Sequence, residues 1–304
     1  MLKNLNFIRF YIIQIKASTE AKIYFLIVKA IKQKKLLHLA YMKKIKIPFV
    51  LIWRLWFYVL VLGTVILMSP LLLILTAKEK YYPVFWKVIR VWSFFLIYAM
   101  GFRLKIEEEE KLDITKSYMF CPNHTSLIDG WVLVALSKNP IVFVGKKELV
   151  KIPVFGFFYK KVVIMVDRSS PKSRKRVYEM AKKRLQNGVS IAIFPEGLVP
   201  TEDVILAPFK NGAFSLAIEH QIPVVPHVYY DAKRLISWDP LRGGPGIFRV
   251  KQCKAIETVG LGKNDKEELK NQAFGVIYNE LANDEVYMKD TNRPNNEREF
   301  KSPL

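Results

Sequence analysis

Hydrophobic and polar positions follow two regimes along this chain. Residues 47–77, IPFVLIWRLWFYVLVLGTVILMSPLLLILTA, are apolar almost throughout and are interrupted at Arg54 and Pro70. The run exceeds the roughly 20 residues needed to cross a bilayer. Trp53, Trp56 and Tyr58 resemble the aromatic belt of a membrane–water interface. A second apolar stretch, 81–101, carries Lys87 and Arg90 and reads as amphipathic. Lys43, Lys44 and Lys46 precede the first run and Lys78 and Lys80 follow it. Basic residues at both ends predict a helical pair that dips into one leaflet and returns, with a two-pass hairpin as the competing arrangement. Either would leave the rest of the chain on the cytoplasmic side, whereas a single span would not.

From residue 102 onward short β-like runs alternate with helical patterns. The runs are 103–107, 117–121, 141–144, 162–166, 190–194, 223–230 and 248–257, and the helical periods fall near 126–137, 171–187, 210–220 and 265–283. This alternation predicts an α/β fold with a mostly parallel, twisted sheet flanked by helices, behind an N-terminal membrane-associated helical pair. The expected organisation is a basic extension over 1–41, membrane-associated helices over 42–101, the α/β domain over 102–285 and a polar tail over 286–304. The tail, ending EREFKSPL, has the composition of a disordered segment. Residues 1–41 match no motif. Met42, followed by KKIKIPFV, reads as an alternative start, and the competing expectation is an amphipathic surface helix. No cleavable signal peptide is evident, because charged residues break up the first eighteen positions.

Composition sharpens this picture. Of 304 residues, 51% are hydrophobic, yet 48 Lys and Arg face 27 Asp and Glu, for a formal net charge of +21. A greasy, cationic protein fits a partner surface that is both apolar and anionic, as a phospholipid membrane is. Nucleic acid would explain the charge but not the apolar excess, and no zinc spacing, RNP motif or basic zipper is present. The two cysteines, Cys121 and Cys253, are too few for a disulfide framework and fit a reducing cytoplasmic face. The four histidines, His38, His124, His220 and His227, show no metal-ligand spacing.

The candidate chemistry centres on CPNHTSLIDGWVL, residues 121–133, where a small polar island holds His124 and Asp129. One reading is structural: Ser126-x-x-Asp129 before an apolar run has the form of a capping box. The other is catalytic. A strand ending near Cys121 would deliver His124 to a sheet edge, and a carboxylate on one ring nitrogen would leave the other free to accept a proton. No Gly-x-Ser-x-Gly elbow supplies a nucleophile, and Cys121 reads as a buried hydrophobe, so a base acting on a substrate hydroxyl is the better fit. Three further stretches stand out. Residues 145–170 combine Lys146, Lys147, Lys151, Lys160, Lys161 and Arg168 with apolar side chains, and Arg168 has the fork geometry suited to phosphate. Residues 191–200, IAIFPEGLVP, end a buried strand in a turn that can bring a carboxylate and backbone N–H groups together. Residues 222–227, IPVVPH, place prolines in an apolar strand, which predicts an edge strand or a pocket wall.

Together these stretches resemble the glycerolipid (phospholipid) acyltransferases, typified by bacterial 1-acylglycerol-3-phosphate O-acyltransferase. Asn123, His124, Ser126 and Asp129 match the first block; KKELVKIPVFG with Asp167 and Arg168 the second; Phe194, Pro195, Glu196 and Gly197 the third; Pro223 and Pro226 the fourth. The resemblance covers 102–257 and implies a membrane-bound enzyme of phospholipid biosynthesis at the cytoplasmic face of the cell inner membrane. It implies His124, steered by Asp129, as the base, and Asn123, Ser126, Lys146, Arg168, Phe194, Pro195, Glu196 and Gly197 around the substrates. The implied partners are membrane lipids, a lysophospholipid acceptor and an acyl-CoA or acyl carrier protein thioester as co-substrate, with no cofactor, metal or nucleic acid. Backbone N–H groups near Glu196 and Gly197 are expected oxyanion donors. One departure stands out: the family usually follows Phe-Pro-Glu-Gly with Thr-Arg, where this chain has Leu198 and Val199. Phosphate affinity would then fall to Lys146, Arg168 or Lys210, or the acceptor would be another lysolipid, such as a lyso-aminolipid. A non-catalytic basic membrane protein is the alternative of a different class.

Overall fold

The computed structural model describes residues 29, 32–34, 46–152, 155–167, 170–201 and 203–290. The chain divides into two compact units, Met1–Ile52 and Trp53–Leu304, and the contacts below lie within the second. The expectations for most of 1–41, for the end of the tail and for Arg168 lie outside the described residues.

Seven strands form one sheet: β1 (Phe102–Glu108), β2 (Met119–Pro122), β3 (Ile141–Lys146), β4 (Ile164–Val166), β5 (Ser190–Ala192), β6 (Val224–Tyr229) and β7 (Gly246–Gln252). Their order is β1-β7-β6-β2-β5-β3-β4, and every pairing is parallel except β6 with β7. The helices are α1 (Lys46–Leu75), α2 (Tyr82–Ala99), α3 (Asp129–Leu136), α4 (Phe155–Val162), α5 (Pro171–Gln186), α6 (Gly212–His220), α7 (Ala232–Leu235), α8 (Lys266–Asn283) and α9 (Glu285–Asp290). Side chains alternate across the sheet as the period of two demands. Met119 and Cys121 of β2 join the core built with α5, α6 and α8, while Phe120 points into the layer shared with α2 and α3. The central strands are therefore buried on both faces, which is why they read as continuous apolar runs. Both cysteines are free and buried.

Three expectations need correction. The proline-bearing strand is not at an edge, because β6 lies between β7 and β2. Pro226 pairs with Cys121 in the register of β2, but the β7 ladder begins only at His227, and Pro226 contributes its carbonyl to the Cys253 N–H. The missing proline donor thus falls where the antiparallel ladder has not begun. The 47–77 run is not broken, because α1 continues through Arg54 and Pro70. Proline leaves the carbonyl four residues earlier without its helical donor, and the Ser69 hydroxyl donates to that oxygen, on Ile66, at 2.7 Å. Trp53 is no interfacial belt residue. It is 7% exposed, packs edge-on against Phe102 and donates its indole N–H to the Met100 carbonyl at 2.9 Å. Arg54 binds the carbonyls of Ser237, Asp239 and Arg242.

The part of α1 from Trp53 to Leu60 therefore belongs to the α/β core, together with Leu96 and Ile97 of α2. Further along, α1 exposes Leu62, Ile66 and Leu67. Among the described residues, α1 is the one helix long and apolar enough to cross a membrane.

Arg249 on β7 joins the two ends of the fold. It bridges Asp231, next to α7, at 2.8 Å and Asp284, between α8 and α9, at 2.5 Å. Asp231 has only 1% of its side chain exposed, and Arg234 also reaches it at 3.0 Å. Breaking a buried pair from one side costs about 3–5 kcal/mol. Arg249→Met should sit at the low end of that range, because Arg234 still offsets part of the Asp231 charge. Chemical denaturation in detergent checks this; a loss below about 1 kcal/mol, the worth of a surface pair, would contradict it.

Candidate active site

The site forms at the C-terminal edge of the sheet's centre, where β2 and β5 end side by side. Backbone pairing sets the starting positions: Ile193 donates to Phe120, and Asn123 donates to His227. The Asn123 side chain then clamps the neighbouring strand, with Nδ2 donating to the Tyr229 carbonyl at 3.2 Å and Oδ1 accepting the Tyr229 N–H at 2.8 Å. Asn123 thus ties the exit of β2 to β6, a role its place in the motif did not disclose.

Beyond Asn123 the chain folds around one carboxylate. Asp129 is fully buried. Its Oδ2 accepts the N–H of Thr125 at 2.5 Å, the N–H of Ser126 at 2.7 Å and His124 Nδ1 at 2.9 Å. Its Oδ1 accepts the Ser126 hydroxyl at 2.5 Å. The capping-box reading is met only in part. The Ser126 N–H does bond the carboxylate, but the Ser126 hydroxyl donates to it instead of accepting from the helix, and α3 starts at Asp129 after Ile128. A carboxylate accepts only, so the imidazole proton sits on Nδ1 and Nε2 is left as an acceptor.

Two more contacts fix the imidazole. Phe194 stacks on the His124 ring at 4.2 Å and 23°, and Phe143 of β3 stacks on Phe194 in turn. The His124 backbone N–H donates to Glu196 Oε1 at 2.6 Å. Ring, side-chain nitrogen and main chain are each held, while 27% of the side chain stays exposed.

The Phe194–Gly197 turn is a brace for this loop. Glu196 is 1% exposed and accepts two backbone N–H groups, from His124 and, through Oε2 at 2.8 Å, from Ala207. The Pro195 carbonyl accepts the Lys210 N–H at 2.9 Å. Gly197 has φ +72°, a left-handed conformation that suits glycine. Its N–H closes the turn onto the Phe194 carbonyl at 3.0 Å. Of the N–H groups expected near Glu196 and Gly197 as oxyanion donors, that of Gly197 is thus engaged within the turn. Lys233, which the sequence reading passed over, is 6% exposed and donates to the carbonyls of Thr201 at 3.2 Å and Val204 at 2.7 Å, holding the loop that follows the turn. Nothing in its sequence context, a lysine in YYDAKRL, separates it from the many surface lysines.

The other expected positions spread outward. Lys146 stands exposed at the end of β3, two strands from β2 in the sheet. Leu198 is 45% exposed, an apolar side chain directly after Gly197. Burial pushes the Cys121 thiol well above its usual range, and its side chain has no exposure, which removes it as a nucleophile.

Residues 103–230 match the family model described as Acyltransferase. That segment is therefore similar to the acyltransferase family. The curated relatives include a 1-acyl-sn-glycerol-3-phosphate acyltransferase of Cocos nucifera, 30% identical over 165 residues, which cover 54% of this chain and 53% of that protein. The Homo sapiens 1-acyl-sn-glycerol-3-phosphate acyltransferase beta is 27% identical over 170 residues, 55% of this chain and 61% of that one. The chain thus spans between half and two-thirds of the length of these two relatives. Among solved structures, the 1-acyl-sn-glycerophosphate (LPA) acyltransferase PlsC of Thermotoga maritima shares the fold, with TM-score 0.64, 20% identity, and coverage of 78% of this chain and 95% of that one.

Glu196 gives the domain a testable pH dependence. Burial, set against the His124 and Ala207 N–H groups, raises its carboxyl to about 7. The folded state therefore holds this proton at pH values where the unfolded chain has released it, so stability falls as pH rises from about 4.5 to about 7. Glu196→Gln cannot titrate and should flatten that slope in pH-dependent denaturation. Equal slopes for both proteins would contradict the assignment.

Proposed function

We propose that the protein is a membrane-surface O-acyltransferase that moves an acyl chain from acyl-CoA or acyl carrier protein to the sn-2 hydroxyl of 1-acylglycerol 3-phosphate, forming phosphatidic acid. The observation that carries this reading is the His124–Asp129 pair, with Nε2 left as acceptor at the exposed edge of a domain similar to the acyltransferase family. In the reaction, the acceptor hydroxyl passes its proton to His124 Nε2 as its oxygen attacks the thioester carbonyl. The tetrahedral intermediate collapses, the C–S bond breaks, and the imidazolium returns the proton to the leaving thiolate. The step balances without a metal or cofactor. Asp129 stabilises the imidazolium and keeps the ring aimed, while Glu196 and Phe194 hold the loop and ring in place. Asn123 and Ser126 serve as positioning residues, through the Tyr229 backbone and the Asp129 carboxylate respectively.

Lysolipids also explain the apolar helix. A site in bulk water would have to extract its acceptor from the bilayer at about 0.8 kcal/mol per methylene. A site resting at the inner-membrane surface, on the cytoplasmic side, avoids that cost, and basic side chains such as Lys146, Arg168 and Lys210 favour anionic headgroups. One observation favours a second reading: exposed Leu198 and half-buried Val199 stand where the family usually has a hydroxyl and a guanidinium, which fits an acceptor without a terminal phosphate, such as a lyso-aminolipid.

The test uses labelled acyl donor, membranes containing the protein and a panel of lysolipids. Transfer to lysophosphatidic acid, falling about 10²–10⁴-fold in His124→Ala, is the expected result. Full activity in that variant would remove the proposed base. Transfer to a lyso-aminolipid alone would replace the acceptor and keep the chemistry.

A further inference from the structure

The stretch that follows β3 has a surface that the reaction does not use. Lys147–Lys151 forms a 3-10 turn and Phe155–Val162 forms α4. Leu149, Ile152, Phe155 and Phe157 are 38%, 45%, 41% and 43% exposed. Looseness does not account for this, because the opposite side of α4 is held tightly. A Cβ on Gly156 would lie 1.9 Å from the Val150 carbonyl oxygen, so the helix sits directly on the preceding turn. Tyr159, 7% exposed, donates its hydroxyl to the Lys146 carbonyl at 3.2 Å, in space that a Cβ on Gly145 would fill. With Gly156 and Tyr159 turned inward, Phe155 and Phe157 point outward.

Charge frames this apolar ridge. Lys147, Lys151, Lys160 and Lys161 are exposed around it, against the single carboxylate of Glu148. The ammonium groups of Lys160 and Lys161 lie over the Phe157 ring at 5.1 and 4.7 Å, so positive charge borders the apolar ridge directly. Large apolar side chains inside a cationic rim match the interfacial layer of an anionic bilayer. Position agrees. β3 runs parallel to β5, and β5 to β2, so this stretch leaves the sheet at the edge that carries His124. At that edge Leu127 and Leu198 are also 46% and 45% exposed.

We propose that the 3-10 turn and α4 form a membrane contact separate from α1, seating Leu149, Ile152, Phe155 and Phe157 in the headgroup region of an anionic bilayer with the lysines on its phosphates. The active-site edge then faces the membrane, and an acceptor reaches His124 without leaving it. The contact gains its purpose from the acyl-transfer reading, while its existence is argued from exposure and charge alone.

The full-length protein is reconstituted into mixed phosphatidylcholine–phosphatidylglycerol vesicles with a nitroxide at Phe157→Cys. A second label at Val259→Cys serves as control: that residue is 76% exposed and follows Ile256, which bridges to the start of β6 at the opposite edge of the sheet. The native thiols are buried and leave the label sites distinct. Collision with oxygen should exceed collision with a water-soluble nickel complex at 157, with the reverse at 259. Phe157→Glu should raise the KM for a vesicle-borne acceptor and leave the rate on detergent-dispersed acceptor unchanged. The same label in His124→Ala protein should stay deep, so loss of activity and loss of membrane contact are separable. A label at 157 that remains nickel-accessible in vesicles overturns the proposal. So does one that only acyl carrier protein shields, since that would make the face a protein dock.

Discussion

A carboxylate with no exposure to water must be matched on every side, and the whole site follows from how Asp129 meets that demand. An isolated buried anion would be neutralised or expelled. Here two backbone N–H groups, a hydroxyl and an imidazole N–H converge on its two oxygens. That convergence forces the turn from Thr125 to Asp129, sets where α3 begins and leaves the imidazole a single orientation. The same demand recurs at Glu196 and is met less fully: two backbone N–H groups from segments far apart in sequence reach it, and burial still raises its carboxyl to about 7. Two buried acids therefore hold the loop between β2 and α3 from opposite ends. One aims the ring and the other fixes the main chain that carries it.

The sheet makes this possible because its central strands are locked before the loop begins. Parallel pairing sets Ala192 of β5 level with Phe120 of β2, and the Phe194 ring beyond it lies against His124. Asn123 adds a lock onto β6, which pairs parallel with β2 and antiparallel with β7. The N-terminal helices are not simply appended to this body. Trp53, Phe57 and Leu60 lie in one cluster with Phe102 and Phe248 of the sheet, so the foot of the long apolar helix is part of the α/β core.

Much of this was legible in the residues, and the parts that were not share a cause. The seven strands, the helices over 129–136, 171–186, 212–220 and 266–283, and the closeness of His124 to Asp129 all follow from local pattern and spacing. Whether Ser126-x-x-Asp129 was a cap or a catalytic hold could not be read from spacing, because the hydroxyl can either donate or accept. The partners of Glu196, His124 and Ala207, lie 72 and 11 residues away and have no local signal. Trp53 looked interfacial because its acceptor, the Met100 carbonyl, is 47 residues on. Pro226 argued for an edge because the late start of the β7 ladder is a property of two strands, not one. Each miss concerns a polar group whose partner was remote; the apolar periodicity, being local, carried through.

The central claim is that a buried Asp129 carboxylate holds the His124 proton on Nδ1 and frees Nε2 for the acceptor hydroxyl. Nitrogen-15 NMR of histidine-labelled protein at a pH where the ring is neutral tests it most directly. The account predicts a protonated Nδ1 and an unprotonated Nε2 in the native protein, and loss of that preference in Asp129→Ala. A native ring protonated at Nε2, or one whose tautomer is indifferent to removal of Asp129, would contradict it.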